Sequence, residues 1–143
     1  PVVQAAFDAS TDAQKWKASH TNGSAVSFQN KADSTLFLTV SAPLSQSGSP
    51  LILAPAVSAQ DWLIAPATPV YLMIGPSQSP FAVDVPKSTG SPGATLRLWT
   101  PNKTGAQTYL WVPLSGSDDG YFLVLNAASG LALEGSPQPA ELV

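Results

Sequence analysis

Ala13-Gln14-Lys15-Trp16 recurs as Ala59-Gln60-Asp61-Trp62 and again as Ala106-Gln107-Thr108-Tyr109, with the glutamines 46 and 47 residues apart. A period of this length is the mark of a repeat architecture. One unit cannot bury its own apolar face, so the three must close on one another to make a core. The fold question is therefore one of threefold packing, and the length of 143 residues leaves room for a single domain over 1–143.

The stretches between the phrases are punctuated by 14 prolines and 10 glycines, and the runs they separate alternate with period two, not with the helical 3.6. Short strands are expected at 2–7, 16–19, 25–29, 36–41, 50–54, 62–65, 70–74, 81–85, 95–100, 109–113, 121–126 and 131–134. That is an all-β fold of twelve strands, four to a repeat. Laid over one another, the units run from the glutamine phrase to an apolar strand (Val26 and Phe28; Tyr71 and Leu72; Phe122 and Val124) and then to a second strand (36–40, 81–85, 131–134). The first two units continue through a turn into a further strand at Leu51-Ile52-Leu53 and Leu96-Arg97-Leu98-Trp99, whereas the third has none before Val143. The segment 1–7 precedes Gln14 at about the distance at which Leu96 to Trp99 precede Gln107, so the N-terminal strand is expected to complete the last repeat and to pair beside 131–134.

Composition supports this reading and excludes several function classes. Hydrophobic residues make up 44% of the chain, enough to bury a core without external staples. Lys15, Lys17, Lys31, Lys87, Arg97 and Lys103 are scattered and the net charge is −3, which argues against nucleic-acid binding by phosphate neutralisation. No cysteine is present, so disulfides, thiolate metal sites and thiol nucleophiles have no material. With His20 as the single histidine and no glycine-rich phosphate loop, no catalytic group, metal site or cofactor is expected. Asp118-Asp119 is the only adjacent carboxylate pair and, within Ser115 to Gly120, reads as a hairpin turn. The apolar run near Pro69 to Ile74 is too short to span a membrane, and no charged-then-apolar leader opens the chain, so a soluble protein is expected, with the compartment open. Asn22-Gly23-Ser24 and Asn102-Lys103-Thr104 fit glycosylation acceptors, which matter only in a secreted chain.

Three in-phase Gln-x-aromatic phrases in three four-stranded units resemble the β-trefoil of ricin-B-type (R-type) lectins. The stretch Tyr121-Phe122-Leu123-Val124-Leu125-Asn126-Ala127-Ala128-Ser129-Gly130-Leu131-Ala132-Leu133-Glu134-Gly135-Ser136 is similar to the opening of a repeat in small mushroom lectins of that group. The resemblance covers the whole chain, with Tyr109 in place of the third tryptophan and the chain beginning one strand later than the family, as if permuted. It implies a closed barrel with a hairpin cap, no enzymatic activity, and glycans or glycoproteins as partners.

Trp16, Trp62 and Tyr109 open each unit's inner strand and, by size, belong to the core, with the glutamines bonding nearby backbone. Two residues on, Ala18, Ile64 and Trp111 share their face, and the smaller ring of Tyr109 is matched by the larger Trp111, as a core of fixed volume requires. Trp99 differs. Alternation puts Leu96 and Leu98 on one face and Arg97 and Trp99 on the other, so an inward pair of leucines turns the indole outward. Asp84 precedes Trp99 by 15 residues and Gln107 follows it by eight. The resemblance implies a sugar site made of an acid, an aromatic and a polar pair in that order, which in repeat two selects Asp84, Arg97, Trp99, Asn102 and Gln107. A carboxylate and polar groups would bond pyranose hydroxyls while the ring covers the C–H face, a shallow site that is weak in each copy.

The other repeats are poorer. Unit one has Thr39 in place of the acid and Ala54 in place of the aromatic. Unit three offers a second, weaker candidate in Glu134, Phe7, Asp12 and Gln14, although Phe7 shares a face with Val3 and Ala5 and so reads as core. The residue before each glutamine, where the family commonly has asparagine for the sugar, is Ala13, Ala59 or Ala106, so galactose specificity is not implied; Asn102 is placed to stand in for it in repeat two. Two function classes result. The first is a non-enzymatic lectin used in defence or cell-surface recognition, with a homodimer supplying avidity. The second, by resemblance to cysteine-free fungal β-trefoil inhibitors, is a protease inhibitor acting through a loop such as 45–50 or 87–92.

Overall fold

The computed structural model describes the chain except for residues 23, 42–46, 57–60, 67–71, 78, 87–89, 103 and 136–143 and the side chains of 21, 22 and 66. Ala59, Gln60, Tyr71, Lys87 and Lys103 lie outside the described residues, as do parts of the two loops at 45–50 and 87–92. The described residues form twelve strands: β1 (Val2–Ala5), β2 (Trp16–Asn22), β3 (Ala25–Asn30), β4 (Leu36–Val40), β5 (Leu51–Pro55), β6 (Trp62–Pro66), β7 (Leu72–Pro76), β8 (Ala82–Asp84), β9 (Arg97–Trp99), β10 (Tyr109–Pro113), β11 (Phe122–Asn126) and β12 (Ala132–Gly135). Helical turns among them are short 3-10 segments such as Asp12–Gln14 and Gly105–Gln107.

Six strands close a barrel, because β2 pairs β3, β3 pairs β6, β6 pairs β7, β7 pairs β10, β10 pairs β11, and β11 returns to β2 through Phe122 and Trp16. Closure leaves the barrel without open edges. The remaining six form three hairpins, β4–β5, β8–β9 and β12–β1. The third hairpin is the expected one: Val2, Val3, Gln4 and Ala5 lie opposite Gly135, Glu134, Leu133 and Ala132. Two further bonds join the hairpins, Leu51 N–H to Leu96 O at 2.9 Å and Leu96 N–H to Val2 O at 2.9 Å, and these three side chains are buried together where the hairpins meet.

Each unit's ring ties barrel to cap. Trp16 Nε1 donates to Leu133 O (3.0 Å), Trp62 Nε1 to Leu38 O (3.1 Å) and Tyr109 Oη to Val83 O (3.1 Å). All three rings are fully buried, so the same side chains supply apolar area and satisfy a buried carbonyl. Burial pushes the Tyr109 phenol far above its ordinary range, with the charge of Asp84 adding to the effect, so it stays a neutral donor. Beneath them Trp111 stacks on Phe122 with centroids 3.6 Å apart and lies 6.0 Å from Phe28, while Ala18 sits opposite Phe28 across the β2–β3 pair. The large-for-small exchange at this level fills one volume.

The register corrects the alignment of the middle unit. Trp16, Trp62 and Tyr109 face Asn30, Pro76 and Asn126, so the residues equivalent to Val26 with Phe28, and to Phe122 with Val124, are Leu72 and Ile74, not Tyr71 and Leu72. Several strands are also shorter than the alternation predicts, for a reason the glutamines supply. Gln14 donates from Nε2 to Ala6 O (2.8 Å) and accepts at Oε1 from Asp8 N–H (3.0 Å), drawing the chain out of the sheet after Ala5. Gln107 does the same to Thr100 O (2.8 Å) and Asn102 N–H (2.7 Å), ending β9 at Trp99. Gly75 permits a close approach of another kind: a Cβ there would lie 2.5 Å from Phe81 O, where the chain enters β8.

Deleting residues 1–7 removes the partner of β12 and the Val2 contact with Leu96. A clear fall in the urea unfolding midpoint is expected, independent of protein concentration because the pairing lies within one chain; an unchanged midpoint would mean that β1 is a frayed end.

Candidate functional site

The β8–β9 hairpin sets Asp84 opposite Arg97 and Ala82 opposite Trp99. Leu96 and Leu98 point into the core, both essentially buried, and the alternation therefore turns Arg97 and Trp99 outward, with Trp99 37% exposed. The arginine lies between the other two side chains. Its Nε donates to Asp84 Oδ2 at 2.9 Å, and its guanidinium carbon sits 3.6 Å from the centre of the Trp99 ring. A cation this close over the ring is drawn to the negative face of the indole and holds the two side chains together. The carboxylate is 4% exposed and the arginine side chain 21%, so Asp84 forms the back of the arrangement and the cation its front. Gly48, whose N–H donates to Leu98 O at 2.7 Å, lies beside the benzo edge of Trp99.

Asn102 is exposed at the rim, and its Oδ1 accepts from Thr104 N–H (3.1 Å) and Thr104 Oγ1–H (2.8 Å), a local turn. Gln107 is fully buried with both ends of its amide spent on the 100–102 loop, so it shapes the rim from behind and does not reach the surface.

In the third unit, Glu134 faces Val3, and Gln14 Nε2 lies 3.2 Å from Glu134 Oε1. These two are brought together; the other two candidates are not. Ala5, opposite Ala132, holds the position that Trp99 holds opposite Ala82, and Phe7 lies past the end of β1 with 54% of its surface exposed. The inward reading of Phe7 fails because Val2 and Gln4 are the buried residues of β1 and Val3 and Ala5 its outer face, and because Gln14 draws the chain out of the sheet at Ala6. Asp12 instead faces Lys15 at 3.2 Å and Lys31 at 3.6 Å. In the first unit Thr39 lies opposite Ile52 and Ala54 opposite Phe37, leaving no acid and no ring at the position of Trp99, with the half-buried Phe37 across from it on the same face.

The ion network around Asp12 went unseen in the sequence. Lys15, 5% exposed, pairs with Asp118 at 3.0 Å, and Asp118 is also bonded by Lys31, whose ammonium stands 5.2 Å above the Tyr121 ring. The cluster joins the 3-10 turn Asp12–Gln14 to the β10–β11 turn, the hairpin expected at Ser115 to Gly120. Strand pairing creates it: Lys31 N–H donates to Lys15 O, which sets the two lysines side by side. Among the described residues no group of three or more His, Cys, Asp or Glu could hold a metal.

Lys31 and Lys15 hold the Asp118 carboxyl below its ordinary value of 3.8. A depressed carboxylate adds stability that is present above the unfolded value and is lost as pH falls through the folded one. The unfolding midpoint should therefore drop on acidification from about pH 5 to pH 2, and Asp118→Asn should flatten that drop while lowering the midpoint at pH 7. An acid limb identical in the two proteins would show the network to be inert.

Residues 12–99 match the family model described as ricin-type beta-trefoil lectin domain-like, more than half of the chain. The chain belongs to this family. Among solved structures, this ricin-type domain is similar to the designed threefold-symmetric protein ThreeFoil, with a TM-score of 0.65 and 17% identity over 89% of this chain and 91% of that one. It is also similar to a ricin B-like lectin of Macrolepiota procera, solved in complex with lactose, with a TM-score of 0.63 and 19% identity over 72% of this chain and 73% of that one. No curated protein matches the chain at a significant level. The β-trefoil expected from the three phrases is thus the observed fold.

Proposed function

We propose that this ricin-type domain is a non-enzymatic carbohydrate-binding protein whose principal site is the β8–β9 surface around Trp99. The observation that carries the reading is Trp99 itself, an indole turned outward on a hairpin of a lectin-family fold. Exposed large apolar side chains are ordinary when single, but this one is stacked on a guanidinium whose own partner is buried behind it. A pyranose would lay a C–H face on the free part of the indole and take hydrogen bonds from Arg97 and the rim at Asn102, with Asp84 holding the arginine in place. The lactose bound by the mushroom lectin fits the same class of ligand.

The second repeat carries the main site. Repeat one lacks the acid and has Ala54 at the position of Trp99, and repeat three keeps the Glu134–Gln14 pair as a weaker position without an aromatic of matching register. Binding through one shallow surface is weak, so a homodimer presenting two such surfaces would supply avidity on glycoproteins, suited to defence or cell-surface recognition.

Trp99→Ala should abolish glycan binding, read on an array and by calorimetry, with little change in thermal midpoint. Trp62→Ala, a fully buried ring, should cost about 3–5 kcal/mol of stability. Binding that survives Trp99→Ala would move the site elsewhere on the trefoil.

A further inference from the structure

Arg97 is the single arginine of the chain, and it stands where the acid and the ring of the site would otherwise face each other across open space. Its Nε is committed to Asp84 Oδ2, and its guanidinium carbon lies 3.6 Å from the centre of the Trp99 ring, over one face. Among the described residues the two terminal nitrogens have no protein partner, and no buried side-chain nitrogen is left unsatisfied, so these N–H groups point to solvent. The pair is oriented: a carboxylate at 4% exposure lies behind a guanidinium at 21%, so the surface meets its positive end. A guanidinium bound through Nε still offers the Nη1–Nη2 edge, a fork that matches the two oxygens of a planar carboxylate.

We infer that Arg97 sets the ligand class of the Trp99 site, selecting sugars that carry a carboxylate over their neutral counterparts. This rests on the glycan-binding reading above and deepens it. The acid group of a uronic or sialic acid would sit on the Nη1–Nη2 fork while the sugar ring packs against the exposed part of the indole. A neutral pyranose, by contrast, finds the indole face opposite Asp84 already covered by the guanidinium and the Oδ2 acceptor already taken. Selectivity is local, because the net charge of −3 gives no general attraction for anions.

The test compares sugars that differ only at the carboxyl position, methyl galactoside with methyl galacturonoside and the methyl ester of sialyllactose with sialyllactose, by calorimetry on the wild-type chain, Arg97→Lys and Arg97→Gln. Arg97→Lys keeps a cation beside buried Asp84, so it guards against loss of folding, which thermal midpoints check. Wild type should bind the carboxylated member of each pair at least about tenfold more tightly, as one good charge-assisted fork permits. Both substitutions should bring the ratio of acidic-sugar to neutral-sugar affinity close to one, whatever each does to affinity for the neutral member. A preference that persists in both variants, or equal binding of acidic and neutral sugars by wild type, overturns the inference while the lectin reading stands. Failure of wild type to bind any sugar of either kind overturns both.

Discussion

Three hydrogen bonds from buried rings to cap carbonyls hold the molecule in register: Trp16 to Leu133, Trp62 to Leu38 and Tyr109 to Val83. Each reaches out of the barrel into the hairpin above it. An unpaired carbonyl in that interior would cost on the order of 1–3 kcal/mol, so the ring, the hairpin strand and the barrel strand are specified together. Tyr109 shows that a tryptophan is not required at this position. A phenol carries its donor to the equivalent carbonyl, and Trp111 two residues along supplies the missing bulk against Phe28 and Phe122.

The glutamines do a second job from the same phrase. Gln14 and Gln107 each clamp the loop that leaves a cap strand, and this sets where β1 and β9 stop and which side chains project beyond them. Clamping at Thr100 and Asn102 leaves Trp99 as the last strand residue, its outward direction still governed by the inward leucines. The Trp99 surface and the fold thus share a device. Equivalent geometry in the third unit delivers Ala5 to the position of Trp99, and no ring stands there.

Much of this was legible in the sequence because the signals are local and repeated. The phrase period gives three units, alternation gives the facing of Leu96 to Trp99, and the spacing before Gln14 gives the β1–β12 partnership, all present in the structure. Alternation within a strand cannot, however, say how far the strand runs or what lies across from it. Nor can it say which face is the inner one: Val2 and Gln4, not Val3 and Ala5, are buried, so Phe7 is not core, and the middle unit slides by one residue until its pairing to Trp62 is known. Contacts created only by pairing were invisible: Lys15 beside Lys31 with Asp118 between them, and Arg97 interposed between Asp84 and Trp99. The last of these changes the chemistry of the surface, because a cation stands between the acid and the ring.

If rings and hairpins close as one unit, the cap should not open before the barrel. Native-state hydrogen exchange of the Leu51 and Leu96 amides, which bond Leu96 O and Val2 O across the hairpins, tests this directly against barrel amides of β2 and β3. The account predicts that both cap amides exchange with the same free energy and the same denaturant dependence as the barrel, through global unfolding. Exchange of Leu51 and Leu96 at a much lower free energy, with the barrel still protected, would contradict it.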